Sequence, residues 1–377
     1  MSSITPSLPF KVVGYWLFKR LGRPRMMPIN VTVSVTNMCN SRCRTCYIWK
    51  LYLEKPHLRD QELKIWEFER IFQSLGKSPL IVTISGGEPY LRPDLAQICI
   101  AIYEYCRPKA LIIPTNALLT DAVKTTTEKI LQKVDEMEVI VNISLDGVNE
   151  LHDEIRGVKG NFQRLLQTHR ALQNLKLRYP NLTLGVHTVI SRWNVGYLQE
   201  IYEYVRDFLK PDTYITEIAE HREELLNLNN DIAPTLEQYS KAIDYLISNI
   251  AFDYAKNAKL LQKIQHAFRI EYYRLVVEML RYGRSIPCYA GYASAHINPY
   301  GDVWPCCILA YKMPLGNLRD VNYDFKKVWS SKRADFIRKH LNLNKCYCPM
   351  ANANYTNMLE NPLITLRTFL RVLKWSL

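Results

Sequence analysis

No uninterrupted apolar run in the chain reaches the ~18 residues that a membrane-spanning helix needs. A secretory signal is not expected either: the apolar stretch in MSSITPSLPFKVVGYWLFKR is short and is broken by Lys11 and Lys19. These two absences give the expectation of a cytoplasmic protein with reduced thiols, so ten cysteines in 377 residues point to metal or redox chemistry rather than to a disulfide framework. No internal repeat and no low-complexity tract is present, and a 48% hydrophobic content is that of a folded, enzyme-sized globule.

Acidic residues are missing from both ends. Residues 1–30 carry Lys11, Lys19, Arg20, Arg23 and Arg25 with no acid, and residues 361–377 carry Arg367, Arg371 and Lys374 with none, within a net charge of +13. In NPLITLRTFLRVLKWSL, helical spacing puts Leu363, Leu366, Leu370, Leu373 and Leu377 on one face, beside a separate basic stripe. The first segment offers Phe10, Tyr15, Trp16 and Phe18 among its lysines. Two readings stand: helices on an anionic membrane surface, at the inner face if the protein is cytoplasmic, or helices docked on the protein's own core. Nucleic acid is not expected as a partner, since no basic run is dense enough to neutralise many phosphates.

Between the ends, β-branched runs alternate with helical stretches. Strands are expected at 29–36, 80–85, 110–116, 138–146, 182–190 and 212–219, with helices near 60–75, 92–106, 120–135, 161–178 and 194–210. Six strands each followed by a helix predict a parallel α/β sheet, and six units fit a partial, open (β/α)6 barrel rather than a closed one of eight. Residues 220–285 read as two long helices, HREELLNLNNDIAPTLEQYSKAIDYL and AKLLQKIQHAFRIEYYRLVVEMLRYG. The expected organisation is a basic segment 1–28, a core 29–219, a helical insert 220–285, a small cysteine-rich unit 286–350 and a basic helix 351–377.

Cys39, Cys43 and Cys46 stand in CNSRCRTC, directly after the first strand. Closely spaced thiolates suit zinc or an iron–sulfur cluster. Zinc needs a fourth ligand, and the nearest, His57, lies eleven residues on. A four-iron cube held by three thiolates keeps one iron open. Cys99 and Cys106, seven apart on an expected helix, read as buried structural thiols.

CxxxCxxC after a first strand resembles the radical SAM enzymes, and further stretches agree in order. SGGEPYLRPDL supplies Gly86, Gly87, Glu88 and Pro89 after the second strand, PTNALLT supplies Asn116, ISLDG and HDEIRG supply Ser144 and Arg156, and HTVISRWN supplies Ile190. The resemblance implies that Cys39, Cys43 and Cys46 hold a 4Fe-4S cluster. The Gly86–Pro89 loop would then meet the amino group of S-adenosylmethionine, Asn116 would sit nearby, Ser144 and Arg156 would contact its carboxylate, and the segment of Ile190 would line adenine and ribose. The glycines suit this because they let backbone approach a ligand closely. The family usually has an aromatic before the third cysteine; here it is Thr45, with Tyr47 or Trp49 as stand-ins.

CYAGYASAHINPYGDVWPCC, followed by GNLRD and KCYC, resembles the SPASM and twitch domains that follow many radical SAM cores. NPYGDV is a hairpin turn by its own chemistry. The resemblance implies an auxiliary 4Fe-4S cluster on Cys288, Cys306, Cys346 and Cys348, with Cys307 a possible substitute; structural zinc is the alternative. It also implies an electron donor such as flavodoxin or ferredoxin, and abstraction of hydrogen from a substrate by a 5′-deoxyadenosyl radical. The basic ends favour a lipid- or polyprenyl-linked substrate. The alternatives are a peptide, as for SPASM maturases, and a sugar or aminosugar, as for twitch dehydrogenases. Peptide enzymes often carry a leader-binding domain before the core, and the 28 residues here are expected to be too few for one. A zinc-stapled membrane adaptor is the non-enzyme alternative. Among Glu217, Glu220, His221 and Glu223, which follow the sixth strand, Glu217 is the candidate catalytic residue.

Overall fold

The computed structural model describes residues 7–255, 260–283, 286–343 and 347–376. Six parallel strands follow the expected order: β1 Asn30–Thr36, β2 Ile81–Gly86, β3 Ala110–Thr115, β4 Glu138–Ser144, β5 Leu182–Ile190 and β6 Thr213–Ile218. Three more, β7 Ser294–Ile297, β8 Asp302–Trp304 and β9 Gly316–Asn317, complete one open sheet in the order β6-β5-β4-β3-β2-β1-β7-β8-β9. The sheet is the partial barrel expected from the strand–helix alternation.

Its two faces differ in chemistry. Val31, Val33 and Val35, with Val82, Ile84, Leu111, Val139 and Val141, are buried in the main core. Pairing places Thr32 and Ser34 of β1 in line with Thr83 and Ser85 of β2, and Asn142 and Ser144 of β4 in line with Gly185 and His187 of β5. Successive side chains point to opposite faces, so the apolar set packs on the helices and the polar set lines the barrel interior.

The hairpin expected at NPYGDV is present, with β7 and β8 antiparallel and Gly301 at φ +92° in the turn. It does not stand apart. β7 pairs in parallel with β1, with His296 opposite Thr32, so the hairpin extends the barrel sheet and His296 joins the interior face.

Two helical expectations need correction. Residues 220–235 are not a helix: only a short turn, Glu223–Leu225, precedes the helix Leu236–Ala255. The reason is competition from the first cysteine loop. Tyr47 N–H donates to Leu225 O, the Asn227 side chain donates to Thr45 O and Glu220 O, and Arg222 N–H donates to Asn227 Oδ1. Those bonds use groups that a helix would need for itself. The second correction concerns the expected helix 351–377: it is two helices, Ala351–Leu359 and, restarting at Pro362 under an Asn361 cap, Pro362–Lys374. The latter docks on the helix Leu260–Tyr282 through Ile364, Thr368 and Val372, while Leu363, Leu366, Leu370 and Leu373 are exposed. The leucine stripe is the outward face, and Arg371 is tied back to Glu271 at 2.7 Å.

The helix Ser7–Leu21 divides in the same way. Tyr15 and Phe18 pack on Ile29, Tyr289, Tyr292 and Ala293, whereas Phe10, Val13, Trp16 and Leu21 are exposed. Lys19 turns inward and donates to Cys288 O at 2.8 Å. Near this helix, Glu360 has both carboxylate oxygens buried without a hydrogen-bond partner among the described residues, and burial pushes it up to about 8. A raised folded-state value means stability is lost as pH climbs from the ordinary carboxylate range through about 8. Glu360→Gln is therefore expected to raise the melting temperature at pH 8 and above. The gain should vanish as pH falls into the ordinary carboxylate range; a pH-independent difference would contradict this account.

Candidate functional site

The first cysteine loop is clamped from four sides. Gly87 N–H donates to Thr36 O and Glu88 N–H to Met38 O, both at 2.8 Å. A Cβ on Gly86 would lie 2.0 Å from Thr36 O, and one on Gly87 would lie 2.2 Å from Met38 O. The close approach that the sequence suggested toward a ligand is thus toward the backbone leading into Cys39. Asn116 donates to Asn40 Oδ1 at 2.7 Å. Arg42 and Arg44 donate their N–H groups to Arg156 O and Ile155 O. Residues 225 and 227 close the fourth side through the bonds already described. A loop fixed in this way presents its thiols without having to be ordered on binding.

Glu88 anchors these pieces. Buried, it accepts from Asn116 N–H at 2.6 Å, Thr115 Oγ1 at 3.0 Å and Tyr90 N–H at 3.2 Å. Burial pushes its carboxyl up to about 7 against those donors. Pro89 opens the short turn Pro89–Leu91 behind it.

Cys39, Cys43 and Cys46 border a cavity of about 250 Å³ at the strands' C-terminal ends. Gly86, Gly87, Glu88, Asn116, Ser144 and Arg156 border the same cavity. Ile190 does not: its side chain is buried in the apolar core, and Val189 and His187 face the cavity from β5. Beside Thr45 the bordering side chain is Ile48, not Tyr47 or Trp49. Arg156 forms an ion pair with Asp146 at 2.8 Å, and its Nη1 lies 3.5 Å from Cys43 Sγ. Burial, reinforced by Cys43, pushes the Cys39 and Cys46 thiols up to about 12.

The opposite wall carries Glu217, the expected catalytic candidate, with Glu220 and Arg222. Glu217 stands 3.7 Å from His187 Nε2. Arg222 lies between Glu220, at 3.7 Å, and Glu224, at 3.3 Å. Burial pushes Glu220 up to about 8; Arg222 opposes this, while Glu217 and Glu224 add to it. Helix-like charge spacing in HREELL hid Arg222 and Glu224, because the bonds that shape this segment are long-range.

The second cysteine set gathers under the hairpin. Cys306 is buried against Ala290, Met350 and Ala353, with Cys288 and Cys348 packed on that cluster. Burial pushes the Cys348 thiol up, and Glu220, Cys306 and Cys288 add to the shift. Cys346 lies outside the described residues. Cys307 is buried in the same cluster, and its Sγ lies 2.9 Å from His296 Nδ1. Cys99 and Cys106 are buried in the helix Leu95–Cys106.

The spacing of these donors separates a single ion from a cluster. A mononuclear ion draws its ligand atoms together, whereas a four-iron cube holds them apart. Among the described residues, neither Cys39, Cys43 and Cys46 nor Cys288, Cys306 and Cys348 brings its sulfurs within 4.8 Å of one another. His57 is exposed and joins no such group. The donor set and its spread fit cubes better than zinc.

The family described as the radical SAM superfamily matches residues 33–205, and an iron-sulfur cluster-binding SPASM domain matches 288–349. The chain belongs to the radical SAM superfamily. Radical SAM enzymes use S-adenosylmethionine with a 4Fe-4S cluster and an electron donor, and SPASM domains bind auxiliary clusters. The chain is 25% identical over 338 residues to the antilisterial bacteriocin subtilosin biosynthesis protein AlbA of Bacillus subtilis (strain 168), covering 85% of this chain and 66% of AlbA. It is 28% identical over 222 residues to the Fe-coproporphyrin III synthase of Methanosarcina barkeri (strain Fusaro / DSM 804), covering 58% of this chain and 50% of that enzyme. Its fold resembles that of Streptococcus suis SuiB bound to precursor peptide SuiA, with TM-score 0.57, 17% identity and coverage of 87% and 70%. No helix among the described residues is long and apolar enough to cross a membrane.

Proposed function

We propose that this radical SAM enzyme cleaves S-adenosylmethionine at the Cys39–Cys46 loop and takes a hydrogen atom from a lipid- or polyprenyl-linked substrate at a membrane surface. The chemistry rests on one observation: three splayed thiols, with Arg156 beside them, border a cavity that also meets Glu217 and Glu220. Cys39, Cys43 and Cys46 would hold the SAM-binding 4Fe-4S cluster, and Cys288, Cys306, Cys346 and Cys348 the auxiliary one. When bound, the first cluster and S-adenosylmethionine supply the 5′-deoxyadenosyl radical, with an electron from a donor such as flavodoxin or ferredoxin. Gly86, Gly87, Glu88, Asn116 and Ser144 would bound the cofactor's methionine end. Arg156 sets positive charge against the thiolates and the cofactor's carboxylate. Glu217 is positioned to take a proton from a group in the cavity, its carboxylate facing His187. The test is anaerobic: enzyme, dithionite and S-adenosylmethionine should release 5′-deoxyadenosine, and a detergent-solubilised membrane extract should raise that rate.

The exposed leucines of Pro362–Lys374 support the membrane reading, together with Phe10 and Trp16 and the basic residues around them. Such a surface buries apolar area in the interface and is drawn to anionic lipid. The protein should float with phosphatidylglycerol vesicles and less with neutral ones. Leu366→Glu with Leu370→Glu should abolish most of that flotation, because Ile364, Thr368 and Val372 still dock the helix. Equal recovery of the variant would end the membrane reading. A peptide substrate is the second reading, favoured by the likeness to AlbA and to SuiB bound to its precursor peptide. Stimulation by a peptide fraction and not by lipid would select it.

A further inference from the structure

Cys307 packs in the same cluster as Cys306, but its sulfur also meets donors that the other auxiliary thiols do not. Its Sγ lies 2.9 Å from His296 Nδ1, and His296 Nε2 lies 2.7 Å from Ser34 Oγ. Glu224 completes the group: one ligand atom each from Glu224, His296 and Cys307 fall within 4.8 Å of one another. No other trio of His, Cys, Asp or Glu among the described residues converges in this way. His296 and Cys307 are buried. Glu224 Oε1 faces Arg222 at 3.3 Å, while Glu224 Oε2 is buried with no hydrogen-bond partner among the described residues. The Glu224 side chain also meets Cys307 through a hydrogen bond, so the donor groups already face one another.

We propose that Glu224, His296 and Cys307 form a third metal site, distinct from both clusters, that takes a single zinc ion. Sulfur, nitrogen and oxygen donors in one group suit zinc. Zinc bond lengths place a tetrahedral ion's sulfur and nitrogen ligands about 3.5 Å apart, so the 2.9 Å Cys307–His296 contact must open by only ~0.6 Å. Ser34 supplies the outer hydrogen bond: with Nε2–H donating to Ser34 Oγ, Nδ1 presents its lone pair to the metal. Three protein ligands leave the fourth position to water. The ligands come from the segment after β6, from β7 and from the turn after β8. The ion therefore staples the cavity wall that carries Glu220 and Arg222 to the auxiliary hairpin.

The test uses the holoenzyme with both clusters reconstituted, incubated with equimolar zinc sulfate and freed of unbound metal. Metal analysis should give one zinc per chain beside about eight irons, and zinc-edge X-ray absorption should show one sulfur among nitrogen and oxygen ligands. Cys307→Ser and Glu224→Gln should each lose the zinc and keep the iron. Ser34→Ala should weaken zinc binding about 10–100-fold. Retention of no zinc by the wild type, or an all-sulfur shell, would overturn the site. So would a Cys307→Ser variant that loses auxiliary iron. Iron and zinc are read separately, so failure of this site and failure of the cluster assignments are distinguishable.

Discussion

Cys43→Ala is expected to keep about half of the wild-type iron, near four of about eight per chain, and to release no detectable 5′-deoxyadenosine. The expectation follows from the site's geometry. On the proposed assignment all three thiols are ligands, and among the described residues no fourth donor joins them at mononuclear distance. Burial pushes the Cys39 and Cys46 thiols up against the backbone N–H groups and, for Cys46, the Arg222 and Arg156 charges that favour the thiolate, so metal binding has to supply the rest. Removing Cys43 also takes away the sulfur that faces Arg156 at 3.5 Å. Two thiols cannot hold a cube against that cost, and the cofactor's open iron goes with it. The auxiliary thiols are untouched, so their iron should remain. Cys306→Ala is the mirror case, losing the auxiliary iron and keeping the first cluster. Full iron in Cys43→Ala would remove this loop from the chemistry. Wild-type protein holding zinc and no sulfide would favour the zinc-stapled adaptor.

Much of this was legible in the sequence because it is local. Strands β1 to β6 announce themselves as β-branched runs such as INVTVSVT, each followed by a helical stretch. The cysteine loop and the Gly86–Pro89 loop follow their strands directly, so their place at one end of the sheet needs no tertiary information. What stayed hidden is set by pairings distant in sequence. Nothing local says that β7 joins β1, which carries His296 into the barrel interior. Nothing in HREELL says that Asn227 will bond to Thr45 and hold Glu220 and Arg222 at the cavity wall. Helical spacing identified the leucines of the last helix as one face but could not tell which face docks; Ile364, Thr368 and Val372 fit the groove instead. Ile190 shows the finest limit, since a shift of one residue along a strand exchanges cavity for core.

Arg156→Leu is expected to destabilise the metal-free protein by about 3–5 kcal/mol, the usual cost of leaving a buried charge without its partner. The partner is Asp146, whose side chain is 2% exposed and lies 2.8 Å from the guanidinium. Asp146 cannot swing out to water, because its Oδ1 accepts Val189 N–H at 2.8 Å and its own N–H is bonded to His152 Nδ1. The pair therefore has to be removed as a unit. Adding Asp146→Asn to Arg156→Leu should recover more than half of the loss in urea unfolding, since a neutral amide keeps an acceptor for Val189 without a buried charge. Cluster assembly separates the two roles of Arg156. The double variant should fold yet take up less iron at the first site, because no cation then stands beside Cys43. Normal iron uptake would make Arg156 a purely structural partner of Asp146. A single variant within about 0.5 kcal/mol of wild type would show that the pair does not hold this end of the barrel together.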